Sequence, residues 1–106
     1  MAADTAPKIH VGDLPVFKIT VRDALGALYP IDSASVMQMK FTKPDPTAAV
    51  VVKTAVWDTD GTDAVLKYVA IAGDMDMEGD WERRAYLVTP GWSGHTTVEQ
   101  FEVFAV

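Results

Sequence analysis

Gly73-Asp74-Met75-Asp76-Met77-Glu78-Gly79-Asp80-Trp81 lies between two runs of alternating polar and apolar residues. An acidic residue, a glycine and a large aromatic at the mouth of a strand are what a β-sandwich corner needs. Gly79 can take a backbone conformation that a Cβ would forbid. Trp81 drops into the core as the next strand begins. The acidic side chains, Asp76 among them, can accept from local backbone N–H groups and hold the turn. The stretch therefore reads as the hinge that carries the chain from one sheet to another, with Met75-Asp76-Met77 as a single helical turn.

Residues 81–89 form a long strand pattern. Trp81, Arg83, Ala85 and Leu87 share one face, and Glu82, Arg84, Tyr86 and Val88 share the other. Pro90-Gly91-Trp92-Ser93-Gly94 reads as a loop, and residues 98–106 as the closing strand. On the other side of the corner, residues 64–70 read as a strand with Leu66 and Tyr68 on one face. The polar loop 58–63, with its Asp60-Gly61 pair, has hairpin character. Residues 49–57 are rich in valine and read as one strand. Residues 35–42 alternate, with Met37, Met39 and Phe41 inward, and Lys43-Pro44-Asp45-Pro46 breaks the run. Residues 16–22 alternate too, with Phe17, Ile19 and Val21 on one face. Residues 8–11 suggest a short edge strand, and 28–31 an extended piece interrupted by Pro30.

About seven strands at this spacing, with no sustained helical period, predict an all-β domain. The expected fold is an immunoglobulin-like antiparallel β-sandwich with no disulfide, since the chain has no cysteine. A small barrel is the alternative, because strand count does not decide between them. At 106 residues, with 49% apolar and 23% charged, the chain is one folded domain. Residues 1–8 read as an arm, and 9–106 as the domain. The arm has neither a basic region nor an apolar run, so it is not a signal peptide. No segment has the apolar length to span a bilayer. A net charge of −6 argues against nucleic acid and against an anionic membrane as partners.

Catalytic chemistry finds little support in the residues. His10 and His95 are the only imidazoles, and neither sits in a nucleophile motif. Zinc ligands are missing. The acidic loops 58–63 and 74–80 could offer oxygens to calcium, but their spacing is not that of an EF-hand, and Asp and Gly are ordinary turn formers. The expectation is therefore a non-enzyme with no cofactor and no metal. Of the three tryptophans, Trp81 and Trp57 continue strand alternations and are expected in the core. Trp92, in a glycine-rich loop, has two readings: a contact residue, or a cap on the end of the sandwich.

The order of turns carries a resemblance. Gly12-Asp13, Val21-Arg22-Asp23, Gly26 and Ile31-Asp32-Ser33-Ala34 are followed by Phe41-Thr42-Lys43-Pro44-Asp45 and Asp60-Gly61-Thr62-Asp63. Then come Lys67-Tyr68, Gly73-Asp74, Glu78-Gly79-Asp80-Trp81 and Phe101-Glu102-Val103. This resembles the immunoglobulin-like domains of tailed-bacteriophage structural proteins, including those similar to the N-terminal domain of the baseplate upper protein family. The likeness covers about residues 9–106 and rests on turn and corner positions rather than on a catalytic signature. Pro46 stands where that pattern usually has glycine, which stiffens the loop.

The resemblance implies a virion structural protein, made in the cytoplasm of a bacterial host. Its place would be in the tail, baseplate or neck, or on the capsid as decoration, in many symmetric copies bound to other virion proteins. Trp92, Ser93 and His95, with Pro7 and Lys8 of the arm, are the candidate partner contacts. Asp76, Gly79 and Trp81 are the structural corner. The alternative is a carbohydrate-binding module that attaches a particle to host-surface glycan through Trp92, Ser93 and His95.

Overall fold

A computed structural model describes residues 8–47 and 49–106. Among them there are nine strands and no helix: β1 (Ile9–His10), β2 (Val16–Thr20), β3 (Val36–Thr42), β4 (Val51–Thr54), β5 (Val56–Trp57), β6 (Val65–Val69), β7 (Gly79–Thr89), β8 (Trp92–His95) and β9 (Glu99–Phe104). They form two sheets. The larger runs β1-β9-β7-β3-β4, with β8 also paired to β7, and the smaller runs β2-β6-β5. The larger sheet curls, so that the whole is a half-barrel of two layers.

The alternation read from the sequence explains the packing. In β2, Phe17 and Ile19 are buried while Val16, Lys18 and Thr20 are exposed. In β7, Trp81, Ala85, Leu87 and Thr89 are buried on the face that meets the smaller sheet. Met39 and Phe41 of β3, Leu66 of β6 and Val103 of β9 complete the core between the layers. Phe41 stands at its centre, with ring centroids 5.0 Å from Phe17, 5.9 Å from Tyr68 and 6.2 Å from Phe101. Offset and edge contacts of this kind add to what burial alone contributes.

The corner does join the sheets: β6 belongs to the smaller and β7 to the larger. Gly79 has φ +125, and a Cβ there would lie 2.9 Å from the Pro44 ring, so both conformation and space select glycine. Trp81 is 1% exposed, and its indole N–H donates to the Met77 carbonyl at 2.9 Å. Two details differ from expectation. Met75-Asp76-Met77 forms no helical turn; Met75 instead sinks into the core. The acid that holds the local backbone is Asp74, which accepts from the Ile71 N–H at 2.9 Å, whereas Asp76 reaches out to Lys43 Nζ at 2.8 Å.

Other expectations are corrected. There are nine strands rather than about seven, and they are not all antiparallel, since β1 runs parallel to β9. The valine-rich run splits at Ala55. β4 pairs with β3 in one sheet, and β5 pairs with β6 in the other. Ala55 is buried and its N–H donates to the Met37 carbonyl at 3.0 Å, which pins the crossing point. Trp57, expected in the core, is 36% exposed. Its indole N–H is held by the Ile31 carbonyl at 2.8 Å, so the ring lies along the 31–32 turn at the sandwich edge. Trp92 and Ser93 are strand residues of β8, not loop residues, because Thr89-Pro90-Gly91-Trp92 makes a tight hairpin.

Candidate functional site: a groove between two sheet edges

The ends of the pairing order place β2 at the edge of the smaller sheet and β8 at an edge of the larger one. A groove of about 530 Å³ opens between them, with Lys18, Thr20, Arg22, Trp92, His95 and Glu99 on its walls. Register fixes what the edges present. Val21 N–H donates to the Ala64 carbonyl at 2.8 Å, and Ala70 N–H to the Pro15 carbonyl at 2.9 Å. In an antiparallel ladder the hydrogen-bonded pairs alternate. Phe17 and Ile19 therefore bond inward to β6, and the backbone groups of Lys18 and Thr20 aim away from it. On the other wall, Thr96 N–H donates to the Ala85 carbonyl at 2.9 Å. By the same alternation, Trp92 and Gly94 face β7, and Ser93 and His95 turn their backbone groups outward.

Trp92 forms the ridge between this groove and a second, more apolar hollow of about 350 Å³ that includes Arg22, Ala24, Tyr29 and Gly91. It is 37% exposed and firmly placed. Tyr29 meets it edge-on, with ring centroids 6.0 Å apart. Thr89 Oγ1 accepts from the Trp92 N–H at 3.1 Å and donates to its carbonyl at 2.9 Å, and shares a hydrogen bond with the Tyr29 hydroxyl at 3.0 Å. The indole folds back over Gly94, where a Cβ would come within 3.0 Å of the ring. Trp92 thus caps the end of the layers and also offers a fixed aromatic surface to the outside.

His95 lies beside Tyr86, with ring centroids 5.0 Å apart, and its Nε2 accepts from Lys40 Nζ at 3.0 Å. Desolvation, then the positive charges of Lys40 and Arg84, hold its pKa below the usual imidazole value. Ser93 is exposed on the same edge. Trp92, Ser93 and His95 thus lie along one edge strand, but their side chains divide: Ser93 and His95 share the outer face with Val88 and Tyr86, and Trp92, opposite Thr89, turns to the face that meets the smaller sheet. Lys8 is elsewhere: its ammonium sits 5.0 Å from the centre of the Phe104 ring, beside β1. Pro7, with the rest of 1–7, lies outside the described residues. His10 is engaged locally on β1: its backbone N–H donates to Asp13 Oδ2 at 2.8 Å, and its ring Nδ1 lies 3.2 Å from the Lys8 carbonyl.

The acidic loops have local employment. Asp60 accepts from Thr62 N–H at 3.0 Å and from Thr62 Oγ1 at 2.6 Å. Asp63 accepts from Thr59 Oγ1 at 2.9 Å, and Asp58 pairs with Lys18 at 3.2 Å. Among the described residues, no three His, Asp or Glu side chains converge as a metal-ligand group.

Two features escaped the sequence reading. Tyr29 sits in a stretch broken by Pro30 and gave no periodic signal, yet it orients Trp92. Lys40 was legible as an outward residue of its strand, but only the β3–β7–β8 register brings it to His95.

Fold and groove define, among the described residues, an all-β protein of two sheets with an uncovered edge of each, β2 and β8, lining one groove. Comparison with protein families, with curated proteins and with solved structures finds no match to this chain.

Proposed function

We propose that this chain is a non-enzymatic virion structural module of a tailed bacteriophage, an immunoglobulin-like sandwich that binds other virion proteins through its sheet edges. The observation that carries the binding mode is the pair of edges, β2 and β8, that no strand among the described residues covers, with outward backbone groups at Lys18, Thr20, Ser93 and His95. Unpaired edges accept an added strand readily, with backbone hydrogen bonds giving affinity and flanking side chains giving selectivity. Trp92, rigid and part-exposed, suits a central contact. The virion assignment rests on the turn-and-corner resemblance, of which Gly73-Asp74 and Gly79-Asp80-Trp81 are the strongest part.

Mass spectrometry of purified particles from the strain that carries this gene tests the reading. Peptides of this chain should be recovered in fixed proportion to other structural proteins. Their presence in the producing cells but absence from the particles would overturn it.

A second reading is a host-glycan-binding module, favoured by the aromatic pair Tyr29 and Trp92 beside the apolar hollow. A glycan array separates the two. Binding that disappears in Trp92→Ala supports glycan attachment, and no binding by the wild-type chain removes it.

A further inference from the structure

The outer face of the larger sheet is divided by charge along its strands. Side chains alternate across a sheet, so the face turned away from the core carries Asp80, Glu82, Arg84 and Tyr86 of β7. The register sets Lys40 beside Arg84, Gln100 beside Glu82, Glu102 beside Asp80 and His95 beside Tyr86. One band across the strands is therefore basic, formed by Lys40 and Arg84 with His95 one row on. The next bands along the same strands are acidic, formed by Glu82 and then Asp80 and Glu102. Among the described residues, neither Lys40 nor Arg84 makes an ion pair. In a chain of net charge −6, two such cations side by side are a costly arrangement unless something neutralises them. Desolvation, then the charges of this pair, hold the pKa of the neighbouring His95 below its usual value. Val52, 50% exposed, and Val98, 42% exposed, flank the basic band with apolar surface.

We infer that this face is a self-complementary contact for a second copy of the chain. A two-fold axis lying in the contact plane and crossing β7 between Glu82 and Arg84 reverses the order of the bands. It stacks sheet on sheet at about 10 Å, the usual spacing of packed sheets. Each Arg84–Lys40 band then lies over the Thr42–Glu82–Gln100 row of the other copy, with Arg84 against Glu82, and each Asp80–Glu102 band lies over the Tyr86–His95 row. The contact is isologous, so one set of residues satisfies both sides. A two-fold axis running along the strands would instead set basic on basic, and complementarity rejects it. The inference is independent of the virion reading. Self-association can fail while the chain is recovered in particles, and it can hold while the chain is absent from them.

Sedimentation velocity of the purified chain over a wide concentration range tests it. A monomer–dimer equilibrium is expected in low salt, weakened about tenfold or more when added salt shortens the screening length to a few ångströms. Arg84→Glu alone and Glu82→Arg alone should each abolish the dimer. The double variant Glu82→Arg/Arg84→Glu, which inverts the bands together, should restore it. The neutral pair Glu82→Gln and Arg84→Gln provides a milder version, with each single change weakening the dimer and the double change no worse than the sum. A wild-type chain that stays monomeric at every concentration overturns the proposal. So does a dimer indifferent to the charge changes, or a folded double-reversal variant that fails to dimerise.

Discussion

Lys53 Nζ lies 3.0 Å from Asp74 Oδ1, and this contact ties the edge strand β4 of the larger sheet to the corner that leaves the smaller one. The same carboxylate accepts from the Tyr68 hydroxyl, on β6, and from the Ile71 N–H at 2.9 Å. Asp74 is thus a three-way clamp on both layers, with 10% of its side chain exposed. Burial pushes its pKa up, but the bonds from Ile71, Tyr68 and Lys53 outweigh that and hold it below the usual carboxylate value. Asp74→Ala removes all three bonds. Hydrogen bonds to charged groups are worth about 1.5–3 kcal/mol, so the variant should lose about 2–3 kcal/mol of unfolding free energy in urea. Because the folded pKa is depressed, the clamp acts in full above the ordinary carboxylate range. It is lost as pH falls through the lowered value. An Asp74→Ala chain as stable as wild type at neutral pH would remove the clamp from the account of the corner.

Tyr68 titrates in the opposite sense. Desolvation, then the hydrogen bond to Asp74 and that carboxylate's charge, raise its pKa from 10.0 to about 12. The folded state therefore keeps its proton where the unfolded chain loses it. Stability from this bond is complete below pH 10, and it declines as pH rises toward 12. Tyr68→Phe should lower stability at neutral pH by about 1–2 kcal/mol, because the hydroxyl's bond to the carboxylate is gone. It should also flatten the alkaline decline, as followed by urea unfolding at stepped pH. Equal alkaline slopes in the two proteins would show that another group governs that limb.

The corner was legible because its residues carry backbone demands. Gly79 and Trp81 are types that few other positions would select, and the alternation after Trp81 names the buried face. The split at Ala55 was hidden for a physical reason. Valines on both sides favour extended structure in either sheet, and period-2 patterning does not record which neighbour a strand pairs with. Trp57 was misplaced for the same reason: the alternation ran on, while the chain had already changed sheets. At the candidate site, Trp92 and His95 could be named, but their setting could not. Tyr29 and Lys40 reach them only through pairings between distant segments. Asp76 was preferred to Asp74 because both are acids in one turn, and only the folded backbone shows which is aimed at Ile71.

His95 provides a probe of the basic band. Desolvation, then Lys40 and Arg84, depress its pKa, so the ring is neutral at pH 7 and accepts the Lys40 bond through Nε2. An NMR titration should give His95 a midpoint below 6.5, and Lys40→Gln should move it upward. The sign for stability follows. Between the lowered folded value and 6.5 the unfolded chain binds more protons, so stability falls as pH drops through that window. Arg84→Gln should act in the same direction as Lys40→Gln, since both cations contribute. A His95 midpoint unchanged by either substitution would mean that the two charges do not reach the ring.

Gly61 sets the seat of Trp57. It has φ +87, and a Cβ there would lie 2.7 Å from Asp32 Cα and 2.8 Å from the Trp57 indole nitrogen. Its own carbonyl accepts from the Ile31 N–H at 2.8 Å, so the loop cannot retreat without breaking the contact that holds the 31–32 turn. Gly26 is the natural control, with φ +85 and nothing within 4 Å of a Cβ. An L-residue in the left-handed region costs about 1–2 kcal/mol, and this should be the whole effect of Gly26→Ala. Gly61→Ala adds a clash against backbone, and overpacking of that kind typically costs a further 1–3 kcal/mol, for a total of about 2–5 kcal/mol. Thermal and urea unfolding of the two variants side by side measure the difference. If Gly61→Ala cost no more than Gly26→Ala, the 57–64 loop would have to shift freely against Asp32. The Trp57–Ile31 hydrogen bond could not then be what anchors that edge of the smaller sheet.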